Sequence, residues 1–186
     1  YKKDYFVQMI HMLLIILGAI GFPVLMEVKQ FFSKRRQQLF RFSLFTKLTT
    51  TTFFALVIVG TIMIFLLERN QFLAGKSWHE TVFYTLFQSV TTRSGGLATM
   101  DIRELSQPTL LFMSILMFIG ASPSSVGGGI RTTTFAVSIL SLYTFARGGR
   151  TVRVFKRQLH EEDVLKASVV MTMGILLCAT ALFILS

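Results

Sequence analysis

The sequence predicts an all-α membrane protein, and three observations support this fold class. First, 52% of the 186 residues are hydrophobic, only 15% are charged, and the mean hydropathy is positive. Second, the apolar residues form long uncharged blocks instead of amphipathic patterns. The blocks run from Met12 to Met26, Phe53 to Leu67, Leu110 to Ile119 and Val169 to Leu185. Third, most of the 19 basic residues stand between these blocks, as in proteins oriented by a bilayer.

The composition also excludes several classes of protein. Disordered and collagen-like chains contain far fewer apolar residues. The net charge of +10 would suit a nucleic-acid-binding protein, but the placement of the basic residues favours a lipid bilayer and no nucleic acid. Cys178 is the only cysteine, so no intramolecular disulfide can form within this sequence. The chain begins at Tyr1 and ends inside an apolar block, so we expect it to be a piece of a longer protein.

The length of each apolar block decides whether it can cross the membrane. A hydrocarbon core of about 30 Å needs about 20 helical residues, which predicts spans over Phe6 to Met26, Leu48 to Leu67 and Val164 to Ser186. The block from Thr81 to Val90 would give only about 15 Å of helix, whereas Pro108 to Phe145 would give roughly 55 Å. The former is too short for a crossing and the latter is too long.

Two basic clusters orient the chain in the membrane. One follows the first span and comprises Lys29, Lys34, Arg35, Arg36, Arg41 and Lys47; the other precedes the last span and comprises Arg147, Arg150, Arg153, Lys156 and Arg157. The positive-inside rule puts both clusters in the cytoplasm, so an even number of crossings separates them. Leu48 to Leu67 and the long block supply two crossings. Thr81 to Val90 is therefore expected to enter and leave by the same face, as a half-helix followed by a return strand.

The long block contains helix-breaking residues near its middle, at Gly120, Pro123 and Gly127 to Gly129. Unwound backbone at that depth is tolerated only against protein or a water-filled cavity. The residues around the break are hydroxylated or basic: Ser122, Ser124, Ser125, Arg131, Thr132, Thr133 and Thr134. We therefore predict a polar pathway beside this break. A simple kink for helix packing is the alternative.

The segment from Ser89 to Thr99 follows the predicted half-helix and contains Gly95 and Gly96 among hydroxyl residues. Small residues allow an extended strand whose successive carbonyl groups point to one side. Such a column of oxygens can replace the water around a dehydrated potassium ion, and the C-terminal end of the half-helix dipole also favours a cation. A threonine-rich Gly-Gly turn without a ligand is the alternative interpretation.

Two motifs, in this order, resemble the third module of the KtrB/TrkH family of potassium transporters. The first is Thr91-Thr-Arg-Ser-Gly-Gly-Leu97, and the second is the interruption Gly120-Ala-Ser-Pro-Ser-Ser-Val-Gly-Gly-Gly-Ile-Arg-Thr-Thr133. The resemblance covers nearly the whole chain. It implies the transmembrane helix, re-entrant pore helix and transmembrane helix module of the potassium transporter and channel superfamily.

The same resemblance divides the chain into four parts. Residues 1–30 correspond to the second helix of the preceding module, and residues 31–47 to a basic cytoplasmic linker. Residues 48–160 correspond to a complete module of helix, pore loop and broken helix. Residues 161–186 correspond to the first helix of the next module.

The resemblance also implies two functional segments. The ion filter would comprise Thr91, Thr92, Arg93, Ser94, Gly95 and Gly96, with potassium held by the backbone oxygens of Thr92, Ser94, Gly95 and Gly96. The gating loop would comprise Gly120, Ser122, Pro123, Ser124, Ser125, Gly127, Gly128, Gly129 and Arg131. A guanidinium about 5 Å from the ion would repel it by roughly 3 kcal/mol, so we expect Arg93 to point behind the filter and pair with Glu80 or Asp101. Arg131 would either repel ions or anchor the loop.

The resemblance implies a transporter and not an enzyme. The expected function is potassium uptake by a multi-pass protein of the bacterial plasma membrane, with potassium as the transported species and no covalently bound cofactor. Four modules would surround one pore, and the full-length chain would form a homodimer. A cytoplasmic nucleotide-binding regulatory ring of the KtrA/TrkA type would control the gate.

The residues alone leave two other functions open. A secondary carrier could use the re-entrant hairpin and the broken helix as an occluded substrate site. An intramembrane enzyme would need a nucleophile with a base, or a metal cluster, near the break. That region offers only hydroxyl residues and Arg131.

Overall fold

The computed structural model describes residues 4–33, 42–97, 101–149, 151–155 and 157–185, and most of them are helical. The helices are α1 (Tyr5–Ile20), α2 (Phe22–Ser33), α3 (Leu44–Glu68), α4 (Trp78–Ser94), α5 (Gln107–Phe118), α6 (Thr132–Ala146) and α7 (Glu161–Leu185), with a 3₁₀ turn at Ile102–Glu104. An antiparallel hairpin of β1 (Arg153–Val154) and β2 (Arg157–Gln158) joins α6 to α7. The all-α fold class predicted from the sequence is confirmed.

Two of these helices, α3 and α7, are each long and apolar enough to cross a membrane. Both have 25 residues, or about 37 Å at about 1.5 Å per residue. Ser43 caps the start of α3 by accepting the amide of Thr46 at 3.1 Å. The first turn of α7 carries Glu161, Glu162 and Asp163, whose negative charge is favourable at a helix N-terminus. α3 contains the second predicted span, and α7 contains the third except for Ser186, which lies outside the described residues.

The first predicted span, Phe6 to Met26, is not one straight helix. α1 ends at Ile20, α2 begins at Phe22, and the two helices are bent by 102° at the break. Gly21 between them has a φ of +94°, which is a left-handed value that favours glycine. Pro23 lies in the first turn of α2, where its missing N–H is tolerated. The segment predicted as the first span is therefore divided between two helices that meet at Gly21.

The predicted half-helix is α4, and it is longer than Thr81 to Val90. A capping box between Ser77 and Glu80 fixes its start. It continues to Ser94, past the predicted start of an extended strand. The hydroxyl of Thr92 donates to the carbonyl of Gln88 at 2.6 Å, which accommodates a β-branched residue in the last turn.

α4 is held deep in the fold by its contacts with α1, α3 and α5. Gly60 of α3 permits the close approach, because a Cβ at this position would overlap the hydroxyl of Ser89. That hydroxyl donates to the carbonyl of Val57 at 2.9 Å. A half-helix that is packed on three sides can present its C-terminal end in a fixed position.

The long block is broken in its middle, as predicted. α5 ends at Phe118, α6 begins at Thr132, and residues 119–131 form a folded loop between them. Glu68 fastens the other end of α5 to α3. Its buried carboxylate accepts the amide and the hydroxyl of Ser106 at 2.9 and 2.8 Å.

Buried apolar side chains connect these elements around the loop. One cluster joins α1, α2, α3 and α4 to the loop itself, through Ile20, Val24, Phe53, Val90 and Ala121. The core of the chain therefore surrounds the broken helix and the end of α4.

A second cluster packs the β hairpin against α3 and α7. Val152 and Val154 pack with Leu48 of α3 and Ala167 of α7, while Arg153 and Arg157 are exposed. Some residues of the predicted basic clusters and of the return segment lie outside the described residues: Lys34, Arg35, Arg36, Arg41, Ala98, Thr99, Arg150 and Lys156.

Candidate functional site

The C-terminal end of α4 is arranged around Thr91. Its carbonyl accepts the amides of Gly95 and Gly96 at 2.9 and 3.1 Å. Its hydroxyl accepts the amide of Leu97 at 2.9 Å and donates to the carbonyl of Leu97 at 2.7 Å. In a continuing helix the amides of Gly96 and Leu97 would bond the carbonyls of Thr92 and Arg93. The turn instead directs both amides to Thr91, so that neither amide donates to those carbonyls.

Gly95 and Gly96 are glycine for different reasons. A Cβ on Gly95 would lie 2.8 Å from Cδ1 of Ile15, so this glycine lets α1 pack against the turn. Gly96 has a φ of +66°, and no atom lies within 4 Å of the place where its Cβ would be. Gly96 is therefore required by backbone conformation and not by lack of space.

The predicted filter, Thr91 to Gly96, is not an extended strand. Thr91, Thr92, Arg93 and Ser94 are helical, and only Gly95, Gly96 and Leu97 follow the helix within the described residues. The prediction of a strand from Ser89 onward was therefore wrong. The hydroxyl of Thr92 bonds a carbonyl within the helix, and that of Thr91 bonds the turn that follows it.

Arg93 does not pair with Glu80 or Asp101, as the sequence led us to expect. Its buried guanidinium donates to three carbonyls, those of Phe53 (3.3 Å), Ile119 (3.4 Å) and Gly120 (2.8 Å).

The expected acidic partners of Arg93 have other roles. Glu80 closes the capping box of α4, and Asp101 accepts the amide of Arg103. The side chain of Arg93 thus connects α4 to α3 and to the first residues of the loop. It does so through main-chain carbonyls and not through the predicted carboxylate.

The loop at residues 119–131 is closed by its own backbone. The amide of Ile130 donates to Phe118 at 2.9 Å, and the amide of Ala121 donates to Gly128 at 3.2 Å. A Cβ on Gly120 would overlap the carbonyl of Gly128. The backbone at Gly120 and the backbone at Gly128 can lie in direct contact only because residue 120 is glycine.

Arg131 lies within the loop as an internal anchor. One of its guanidinium nitrogens donates to the carbonyls of Gly127 (2.9 Å) and Ser122 (3.3 Å). The hydroxyl of Thr132 donates to the hydroxyl of Ser122 at 3.3 Å. These contacts match the anchoring role that the sequence left open beside ion repulsion.

The loop also docks on the bend between α1 and α2. The amide of Ser122 donates to the carbonyl of Ala19 at 3.0 Å, and the amide of Val126 donates to that of Gly18 at 3.4 Å. In the opposite direction, the amide of Phe22 donates to the carbonyl of Ser124 at 3.3 Å. These three hydrogen bonds were not predicted, although Gly21 and Pro23 in the sequence could have indicated a bend at this point.

The structure brings the two candidate segments together. A cavity of about 310 Å³ is lined by Ser94 and Leu97 at the end of α4, by Val126 and Gly127 of the loop, and by α1. A Cβ on Gly127 would lie 3.2 Å from Cβ of Ser94. The end of the half-helix and the loop are therefore direct neighbours.

No group of three or more His, Cys, Asp or Glu side chains that could hold a metal ion occurs among the described residues. The groups that meet at this site are backbone carbonyls, hydroxyls and two guanidinium groups. A spanning helix, a re-entrant half-helix that ends in a glycine turn and a second helix broken by a loop together define the pore-loop module of a membrane transport protein.

Comparison with known proteins identifies the family. The TrkH family, described as cation transport protein, matches residues 1–186. The chain belongs to this family, whose members are multi-pass membrane transporters and not enzymes. The intramembrane enzyme that the residues alone left open is thereby excluded.

Individual relatives agree with this assignment. Ktr system potassium uptake protein D of Bacillus subtilis (strain 168) is 62% identical over 187 residues, which cover 100% of this chain and 41% of that protein. Ktr system potassium uptake protein B of Vibrio alginolyticus is 34% identical over 178 residues, which cover 92% of this chain and 38% of that protein. The chain thus spans about two fifths of the length of these curated relatives.

A solved structure has the same fold. The potassium transporter TrkH from Vibrio parahaemolyticus matches 89% of this chain and 35% of its own, with a TM-score of 0.71 and 18% sequence identity. At this identity the match concerns the fold alone.

Proposed function

We propose that the full-length protein takes up potassium across the bacterial plasma membrane, and that this chain supplies one of the modules around its pore. The observation that carries the proposal is the turn after α4, where Gly96 and Leu97 direct their amides to Thr91. Carbonyl oxygens at the negative end of a helix dipole attract a cation and can replace its water. The relatives named as potassium uptake proteins support potassium as that cation.

In this proposal the filter uses the backbone oxygens of Thr92, Ser94, Gly95 and Gly96. Arg93 carries a positive charge in the same segment, but its guanidinium donates to carbonyls of α3 and of the first two residues of the loop at residues 119–131. Its charge is therefore directed away from the turn. Ions would move down their electrochemical gradient, and no covalent bond would be made or broken.

The loop at residues 119–131 is the proposed gate. It lies beside the end of α4, and Arg131 holds its shape through two carbonyls. In its docked position it would obstruct the pathway until a cytoplasmic nucleotide-binding regulatory ring moves it. The full-length chain is proposed to act as a homodimer above that ring.

The most direct test is potassium rescue of an uptake-deficient bacterium by the full-length protein, with and without Gly96→Ser. A serine in left-handed backbone conformation is strained by about 1 kcal/mol, so the turn and its carbonyl spacing should change. We expect rescue by the parent and a clear loss of preference for rubidium over sodium in the variant.

A matched control separates backbone strain from the proposed filter. Gly75 has a φ of +81° and no atom within 4 Å of a Cβ position, as at Gly96, but it lies in the turn before α4. Gly75→Ser should leave ion preference unchanged. Equal rubidium and sodium uptake ratios in the parent and Gly96→Ser would rule out this filter assignment.

Thr91 should control ion preference through its side chain, because its hydroxyl makes two hydrogen bonds to Leu97. At about 1 kcal/mol net for each bond, their loss in Thr91→Val allows other conformations of the turn to compete. We expect Thr91→Val to reduce the ratio of rubidium to sodium uptake, and Thr91→Ser, which keeps the hydroxyl, to behave like the parent. Identical ratios in the valine and serine variants would refute this role of Thr91.

A further inference from the structure

We infer that Gly21 and Pro23 form a docking element that holds the loop at residues 119–131 in its obstructing position. This inference rests on the proposed role of that loop as a gate, and it adds a specific partner surface for the loop. Gly21 is therefore a positioning residue for transport, acting through the loop, although it belongs to the preceding module.

The chemistry of the bend creates acceptors for the loop. In an uninterrupted helix, the carbonyl of Ala19 would accept the amide of residue 23, but Pro23 has no N–H. The amide of Ser122 in the loop donates to this carbonyl instead, at 3.0 Å. Proline in α2 thus leaves an acceptor that the loop satisfies.

The carbonyl of Gly18 loses its helical donor to the loop and accepts an amide of the loop in its place. The carbonyl of Gly18 would accept the amide of Phe22 in a straight helix, but that amide donates to the carbonyl of Ser124 at 3.3 Å. The amide of Val126 then donates to Gly18 at 3.4 Å. Loop and bend therefore satisfy each other's backbone groups in both directions, and separation would leave the carbonyl of the buried Ala19 without this donor.

The shape of Gly21 matches the docked loop. Its φ is +94°, and a Cβ on this residue would lie 2.5 Å from the carbonyl oxygen of Pro123. Any L side chain would both strain the bend and collide with the loop. Gly18 differs, since its Cβ would lie at an ordinary 3.7 Å from a methyl group of Val126.

α2 connects this docking element to the cytoplasmic side of the module. The carboxylate of Glu27 in α2 accepts the amide of Ser43 at 3.0 Å, immediately before α3. A displacement of α2 relative to α3 would therefore change the bend and its hydrogen bonds to the loop. A regulatory partner could release the loop by this route without touching it.

The first experiment compares Gly21→Ala with Gly75→Ala in the full-length protein, reconstituted in liposomes with and without its regulatory ring. Both glycines have positive φ, but only Gly21 faces the loop. In the absence of the activated ring, we expect Gly21→Ala to raise rubidium flux by about tenfold. The loss of one or two backbone hydrogen bonds shifts the equilibrium between docked and released loop by about this factor. Its preference for rubidium over sodium should not change. Gly75→Ala should behave like the parent.

The second experiment keeps the inference testable if Gly21→Ala fails to fold. The double variant Gly18→Cys with Val126→Cys, in a background without other cysteines, can join the loop to α1, because a Cβ on Gly18 would lie 3.7 Å from a methyl group of Val126. After oxidation the ring should no longer activate flux, and reduction should restore activation. In either single-cysteine variant, oxidation should not change the activation of flux by the ring. Full activation of the cross-linked protein would overturn the inference, since the loop would not need to leave the bend.

A deletion of Ser124 to Gly128, measured in the same liposomes, distinguishes a failure of the docking inference from a failure of the proposed gate. If the deletion raises flux but Gly21→Ala and the cross-link have no effect, the loop is a gate that the bend does not hold. If the deletion leaves regulated flux unchanged, the loop is not the gate and the proposed function itself fails at that point.

Discussion

Deletion of Ser124 to Gly128 should give a transporter that conducts without its regulatory partner. The deletion removes the hydrogen bonds of Ser124 and Val126 to the bend and the acceptor of Ala121 at Gly128. At about 1 kcal/mol net for each bond, these losses shift the balance between blocked and open loop by more than tenfold. Rubidium flux into liposomes should rise to a similar extent and respond only weakly to the regulatory ring.

A point variant in the same segment provides the control for this deletion. The side chain of Val126 is 93% exposed, and its backbone makes the contact with Gly18. Val126→Ala should therefore retain regulated flux. The ratio of rubidium to sodium uptake should be the same in the deletion variant as in the parent, because the turn after α4 is unchanged. Flux in the deletion variant that is still low and still regulated would contradict the gate.

Neutralisation of Arg93 should affect stability more than conductance. Arg93 is 4% exposed, and its guanidinium donates to one carbonyl of α3 and to two carbonyls at the start of the loop. Methionine of similar length would leave these carbonyls without a donor, at about 1 to 3 kcal/mol for each buried unsatisfied group. We expect Arg93→Met to lower the midpoint of thermal unfolding of the purified full-length protein by several degrees, with only a small change in flux per folded molecule.

Two further variants sharpen this result. Arg93→Lys keeps the charge but cannot reach three carbonyls at once, so it should lie between the parent and Arg93→Met in stability. Arg103→Met removes an exposed arginine near the start of α5 and should have little effect. A large rise in conductance from Arg93→Met with an unchanged unfolding midpoint would mean that the charge acts on the ion and not on the packing.

The sequence identified the two segments that carry the proposed function, for reasons that are local. The ten residues from Thr81 to Val90 are too few to cross a bilayer, which predicted the half-helix without any knowledge of its neighbours. Likewise, Gly120, Pro123 and three consecutive glycines interrupt a helix wherever they occur. The break between α5 and α6 and the half-helix α4 are both present.

The partners of these segments could not be predicted in the same way. Charge complementarity suggested an acidic partner for Arg93, but the partners are main-chain carbonyls, which every residue has and no composition reveals. The bend at Gly21 was hidden in an apolar run of acceptable length. Pro23 was the available signal, because it removes the helical donor of one carbonyl; the donor that replaces it belongs to a segment about a hundred residues later.

The sequence by itself determined that this chain lies in a membrane, that a half-helix and a broken helix lie between two long apolar helices, and which glycines interrupt the broken helix, because transfer energy and backbone freedom are properties of short stretches. Only the tertiary structure decided which unpaired backbone groups satisfy one another. Ala19 accepts Ser122, and Gly120 accepts Arg93, because packing of α1, α3, α4 and α5 brings them within hydrogen-bonding distance. Such pairing depends on distance in space, and distance along the chain does not reveal it.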